Sequence, residues 1–238
     1  MQSTTDKIMV VAVDGPAASG KSTVSRSAAK MLDFNYVDTG AMYRSVTWKA
    51  LEEGVDVEDT IAVMAMMHRI QISFELVDRK VRMLIDGVYP GDAIREPRVT
   101  EKVSTIAAIS EVRQILVQHQ RSLTKFGNMV MEGRDIGTVV FPDTPYKFYL
   151  EATADVRALR RKRDLEAMKI HATQEVVAES LKVRDGKDSG RSISPLQIAL
   201  GATVVENSDL TVDETAEVIV DHIRQQNQRR GSFSVGGA

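Results

Sequence analysis

The chain has 238 residues, 43% hydrophobic and 27% charged, enough to bury a substantial core and balanced like an ordinary globular protein. A formal net charge of -2 offers neither nucleic acid nor an anionic bilayer a global attraction, so any anion site must be local. With no cysteine, disulfides and thiolate metal sites are excluded.

Residues 1–7 are polar, and the apolar run that follows, Ile8 to Val13, is too short for a signal segment or a membrane span, which reads as a cytoplasmic chain. The run itself, IMVVAV, has the composition of a strand buried on both faces of a parallel sheet. After it comes GPAASGKS, Gly15 to Ser22, which matches GxxxxGK[ST] without a gap. From Lys21 onward Val24, Ala28, Met31 and Leu32 share one helical face. Strand, glycine-rich loop and helix together are the context a phosphate-binding P-loop requires. Backbone N–H groups of Gly15, Pro16 excepted, through Ala17, Ala18, Ser19 and Gly20 converge on phosphate oxygens there, aided by the helix N-terminus. Lys21 bridges the β- and γ-phosphates of a nucleoside triphosphate, Ser22 ligates Mg²⁺, and Thr23 adds a further contact.

The β/α alternation continues with a strand at Phe34–Val37, a helix from Ala41 to about Glu53, and strands at Met129–Met131, Tyr146–Leu150 and Thr203–Val205. A last amphipathic helix starts near Val212, with Ala216, Ile219, Val220 and Ile223 on its apolar face. This order implies a doubly wound parallel sheet, an α/β P-loop NTPase fold. Two stretches break the rhythm. ISFEL and VRMLID around Val77–Lys80 read as a β-hairpin within an inserted subdomain at residues 65–100. The cation-rich stretch of about 156–191, with RALRRKRD and KVRDGKDSGR, reads as a mobile lid over phosphates. Residues 1–64 and 101–225 are then the P-loop core, and 226–238 a disordered tail. Trp48 and the Met64–Met67 cluster read as packing residues.

The second strand runs into VDTGAMYR, placing Arg44 one helical turn beyond a carboxyl end of the sheet, where α/β proteins bind ligands. Alone, Arg44 also suits a surface ion pair and Tyr43 a packing role. The third strand delivers Glu132, Arg134 and Asp135 to the same edge. Two arginines that clamp phosphate, Arg44 and Arg134, point to an acceptor that is itself a phosphate ester, while a local Arg134–Asp135 salt bridge is the competing reading. A regulatory GTPase built on the same loop lacks support, because no asparagine is followed by lysine as the NKxD guanine signature demands.

GPAASGKST, DTGAMYR, GRDIGTVVFP and the RD…D..R pattern at Arg184–Arg191 together resemble the bacterial-type cytidylate kinase family, over residues 8 to about 225. The resemblance implies ATP and Mg²⁺ as donor and metal, CMP and dCMP as acceptors, no nucleic-acid or membrane partner, and a monomer. It implies that Thr39 and Tyr43 line the nucleoside pocket, that Arg44 and Arg134 hold the acceptor phosphate, and that Asp135 helps fix the nucleotide. Ser104 and Arg113 are implied at the base, where a hydroxyl and a guanidinium can pair with cytosine without strictly excluding uracil. Arg184, Asp188 and Arg191 are implied over the site, Asp188 at the sugar hydroxyls, and the inserted subdomain as the monophosphate-binding one. Where relatives can carry arginines this lid has Lys187 and Ser189, and VVENSDLT departs from the usual segment near the donor. UMP, AMP or another small phosphorylated metabolite stays open as acceptor.

Overall fold

The computed structural model describes residues 8–233. Its first strand, β1 (Val10–Asp14), is buried throughout, and its side chains divide by parity, Val10 and Ala12 into one core, Val11 and Val13 into another. That split is the period of two expected of a strand covered on both faces. The remaining strands are β2 (Asn35–Asp38), β3 (Ile72–Val77), β4 (Lys80–Ile85), β5 (Met129–Glu132), β6 (Tyr146–Glu151) and β7 (Thr203–Glu206). They form one sheet in the order β3-β4-β2-β5-β1-β6-β7, parallel except for β3.

Helices α1 (Lys21–Leu32) and α8 (Val212–Phe233) cover one face, packing Val24, Ala28, Ile219 and Ile223 on Val11, Val130 and Phe148. On the other face lie α2 (Thr39–Glu52), α3 (Thr60–Arg69), α4 (Pro97–Ile106) and α5 (Ser110–Ser122), contributing Val46, Met66, Ile106 and Leu116. Met66 and Met67 pack as their sequence context implied, and Trp48 is half-buried on α2. The lid stretch is a pair of helices, α6 (Ala154–Ala167) and α7 (Gln174–Ser189), each opened by a threonine whose hydroxyl accepts an N–H of its first turn. The pair has a small core of its own, Ala158, Val177 and Leu181, which reaches Ala17 in the phosphate loop.

The hairpin β3–β4 turns through Asp78 and Arg79, both at positive φ (48° and 59°), as a two-residue type I′ connection requires. It joins the main sheet, β4 pairing in parallel with β2 through Tyr36 and Lys80. The boundaries 65 and 100 both fall inside helices, α3 and α4. The expectation of a disordered tail from 226 is corrected: α8 runs to Phe233, while 234–238 lie outside the described residues. Gln226 and Asn227 give the reason, since one contacts His222 at 2.8 Å and the other meets the Tyr146 hydroxyl.

Candidate active site

Register pairs Val13 with Glu132 and Glu132 with Asp38, so β1, β5 and β2 end level and deliver their last residues to one edge. From Asp14 the chain turns sharply through Gly15, where an added Cβ would lie 2.3 Å from the Leu150 carbonyl oxygen. Helix α1 starts after Gly20 (φ 90°) with no side-chain cap and no acidic residue in its first turn, so its leading N–H groups and partial positive charge are left for an anion. Lys21 is buried and folds back over the loop, donating to the Pro16 carbonyl at 2.5 Å and the Ser19 hydroxyl at 3.2 Å. Burial holds its pKa well below the ordinary lysine value, and repulsion from Arg134 adds to this.

On the acceptor side, Asp38 caps α2 by accepting from the Ala41 N–H at 2.8 Å. The same carboxylate holds Arg44 at 2.9 Å and Arg95 at 3.8 Å. Burial pushes its pKa up, but Arg44, the Ala41 N–H and Arg95 outweigh it and the net direction is down. Thr39 donates to the Glu132 carbonyl at 2.7 Å, tying β2 to β5. The Glu132 carboxylate accepts from Tyr36 at 2.5 Å, and burial raises its pKa. Arg113 on α5 forms a buried ion pair with Asp135 and stands 5.3 Å over the Tyr43 ring. Burial pushes the Tyr43 hydroxyl up to about 12.

The lid side is anchored on Asp188, whose two oxygens take Arg134 at 3.0 Å and Arg191 at 2.7 Å. Arg184 is brought down to about 10 by burial and by the neighbouring Arg134 charge. Asp185 accepts the Ala17 N–H at 3.0 Å and pairs with Arg157, which also donates to the Ala17 carbonyl at 3.1 Å. Arg160 and Asn207 both reach the Ser19 carbonyl, at 3.3 and 3.0 Å. The lid is thus stapled to the phosphate loop at two residues. Most of these groups line one cavity of about 610 Å³.

The family model described as cytidylate kinase matches residues 11–225. The chain belongs to the cytidylate kinase family. A curated cytidylate kinase of Caldanaerobacter subterraneus subsp. tengcongensis is 43% identical over 218 residues, 92% of this chain and 96% of that protein. One from Desulforamulus reducens is 41% identical over 215 residues, 90% and 96% of the two chains. Among solved structures, an uncharacterized protein from Eubacterium ventriosum has a TM-score of 0.50 at 10% identity, over 92% of this chain and 99% of that one, a likeness of fold alone.

Of the binding and catalytic residues expected from the sequence of this cytidylate kinase family member, all but Gly15 and Pro16 line the cavity. Those two form the turn behind it. Arg134 and Asp135 do not pair with each other, because the chain turns between them and sends one to the lid and the other to α5. Asp188 engages arginines, and Lys187 and Ser189 face solvent. Sequence reasoning missed Asp38, Arg95, Arg160, Arg161 and Asn207 as parts of the site. For Arg160 and Arg161 the lid's cationic run was a signal, but it does not say which cations face inward; for Asn207 the only signal was its place in the atypical VVENSDLT segment.

Proposed function

We propose that the protein transfers the γ-phosphoryl group of ATP to CMP or dCMP, giving ADP and CDP or dCDP. One observation carries this reading. A single cavity is lined both by the phosphate loop with Lys21 and by Arg44 and Arg134, so two phosphate-gripping arrays share one space.

In this reading the triphosphate sits on N–H groups of Gly15 and of residues 17–23, with Lys21 moving from the Pro16 carbonyl onto its β- and γ-oxygens. Arg44 and Arg134 hold the acceptor phosphate so that one of its oxygens attacks the γ-phosphorus. The bond from that phosphorus to the bridging β-oxygen breaks, and ADP leaves with the electron pair. Arg184 and Arg191 from the lid spread the charge on the moving group and exclude water. Ser104 and Arg113 face the cytosine, Thr39 and Tyr43 wall the nucleoside, and Asp135 acts by orienting Arg113. Asp188 addresses the sugar while keeping Arg134 and Arg191 in place. An acceptor phosphate is already ionised near neutral pH, so no general base is required.

The donor set fits Mg²⁺. Among the described residues no group of three or more histidines and carboxylates could hold a metal, so the Ser22 hydroxyl would be the protein ligand of an Mg²⁺ that arrives with the nucleotide. When bound it would supply neutralisation of phosphate charge. Among the described residues no helix is long and apolar enough to cross a membrane. We place the protein in the cytoplasm as a monomer, consistent with nucleotide substrates and a chain without cysteine.

The test is a coupled assay with ATP, Mg²⁺ and, separately, CMP, dCMP, UMP and AMP. Turnover of CMP or dCMP well above the others is expected. Failure of both alongside rapid turnover of another monophosphate overturns the assignment.

A further inference from the structure

We propose that Asp14 is a positioning residue for phosphoryl transfer, locking the segment that carries Arg134 and Asp135 to the strand end from which the phosphate loop departs. The inference rests on the acceptor roles proposed above.

Asp14 is the last residue of β1, 3% exposed, and lies behind the cavity wall rather than on it. Its two oxygens are both spoken for. Oδ1 accepts the Ile136 N–H at 2.9 Å and Oδ2 the Gly137 N–H at 2.8 Å. These donors open a π-helical turn, Ile136–Val140, whose own hydrogen bonds begin only with the N–H groups of Val139, Val140 and Phe141. Such turns concentrate at functional sites, and their leading N–H groups need an outside partner. Asp14 supplies it from the donor half of the site. At the other end Arg121 on α5 donates to the Val139 and Val140 carbonyls at 2.7 and 3.0 Å. The turn that follows Arg134 and Asp135 is therefore clamped at both ends by charged side chains.

Packing leaves this segment little freedom. A Cβ at Gly133 would meet Ile136 at 2.6 Å and Thr39 at 2.7 Å, and one at Gly137 would meet Ala199 at 3.2 Å and Asp14 at 3.4 Å. Burial raises the Asp14 pKa to about 6 even against two N–H donors, so the fold keeps a carboxylate here at an energetic cost. A group that neither touches the cavity nor finds a cation in hydrogen-bonding contact serves through what it holds: Arg134, two residues before Ile136.

Asp14→Asn offers one acceptor and sets an NH₂ against the second N–H, loosening the turn without emptying the space. Kinetics of this variant with ATP and CMP are expected to show a CMP KM raised about tenfold or more, from misplacement of Arg134, with the ATP KM within about threefold. Equal change in both KM values, or no change in either, overturns the proposal, including a loss confined to kcat or to the folded fraction. Should Asp14→Asn fail to fold, Arg121→Gln loosens the partly exposed far end of the same turn, and a rise of about threefold in CMP KM over ATP KM is expected, equality again overturning the claim. Wild-type protein that ignores CMP but phosphorylates another monophosphate ends the substrate assignment instead, and the same KM comparison with that acceptor then judges Asp14.

Discussion

The Arg113–Asp135 pair allows stability and activity to be separated. Both side chains are almost sealed from solvent, at 2% and 6% exposure, and the Arg113 Nε has no hydrogen-bond partner. Burial would lower the arginine's pKa, yet Tyr43 and Asp135 raise it, so the guanidinium remains charged. Asp135→Ala leaves that charge in the interior with only the Ala107 carbonyl, at 3.2 Å, and the Tyr43 ring. Stranding one partner of a buried pair costs roughly 3–5 kcal/mol, whereas replacing both by apolar residues is often neutral. For a chain of this size the single change lowers Tm by roughly 6–20 °C, at about 2–4 °C per kcal/mol. The double change Arg113→Met/Asp135→Leu removes the desolvation penalty with the pair, so it recovers most of the lost stability. Its CMP KM is still expected to rise, because the cavity has lost the guanidinium proposed to face the base. Urea unfolding of wild type, single and double variants, beside CMP kinetics, measures all of this. A loss below about 1 kcal/mol in Asp135→Ala, or a double variant no more stable than the single, refutes the account of the pair as a buried charge held by its counterion.

In the proposed reading Arg134→Ala removes one acceptor-phosphate contact, and it frees Asp188, so CMP KM is expected to rise by roughly 100-fold while ATP binding, measured by calorimetry, changes by less than about fivefold; equal losses for both nucleotides contradict its proposed placement on the acceptor side. The Asp14 carboxyl, faced by Lys21 from α1, by Asp135 from the loop after β5 and by Tyr149 from β6, titrates at about 6 in the folded chain against an ordinary value of 3.8. A raised carboxyl binds its proton more tightly folded than unfolded, so its contribution is fully present below 3.8 and is lost as pH rises through about 6, a difference of about 3 kcal/mol. Urea unfolding at pH 4.5 and 7.5 is expected to show about 2 kcal/mol of that component in wild type and a shallower pH dependence in Asp14→Asn; parallel profiles refute it.

The parts of the site that are contiguous in the chain were legible in it. The P-loop, DTGAMYR and GRDIGTVVFP each place several groups by local geometry, since each joins a strand end to the next turn or helix. What binds those groups to one another was not legible. Asp135 meets Arg113 across 22 positions and Arg134 meets Asp188 across 54, pairings set by the order of strands in the sheet and by how the lid helices lie on it. The hairpin was legible from its turn and its alternation, but its union with β2 rests on the Tyr36–Lys80 bridge, which no local pattern announces. The end of α8 misled because QQNQRR has a disordered composition, although glutamine and arginine are good helix formers once one face is anchored.

Charge explains why the site takes the form it does. A chain with a net charge of -2 lines this one cavity with eleven lysine and arginine side chains and only five carboxylates. Folding alone gains nothing from that concentration. Lys21 and Arg184 carry its mark, both driven down by burial and by the Arg134 charge. Two of the carboxylates, Asp38 and Asp188, stay ionised, held down by the arginines they bind, and each takes two of the cations, which fixes where Arg44, Arg134 and Arg191 point. The uncompensated remainder repels itself in a partly dehydrated space, where Coulomb terms are several times stronger than in water. A polyanion entering the cavity relieves that repulsion as it forms its own contacts, so a neutral nucleoside of the same shape gains only the contacts to sugar and base. Preference for phosphorylated acceptors therefore originates in an energetic debt of the empty fold, and the carboxylates that limit that debt also aim the arginines.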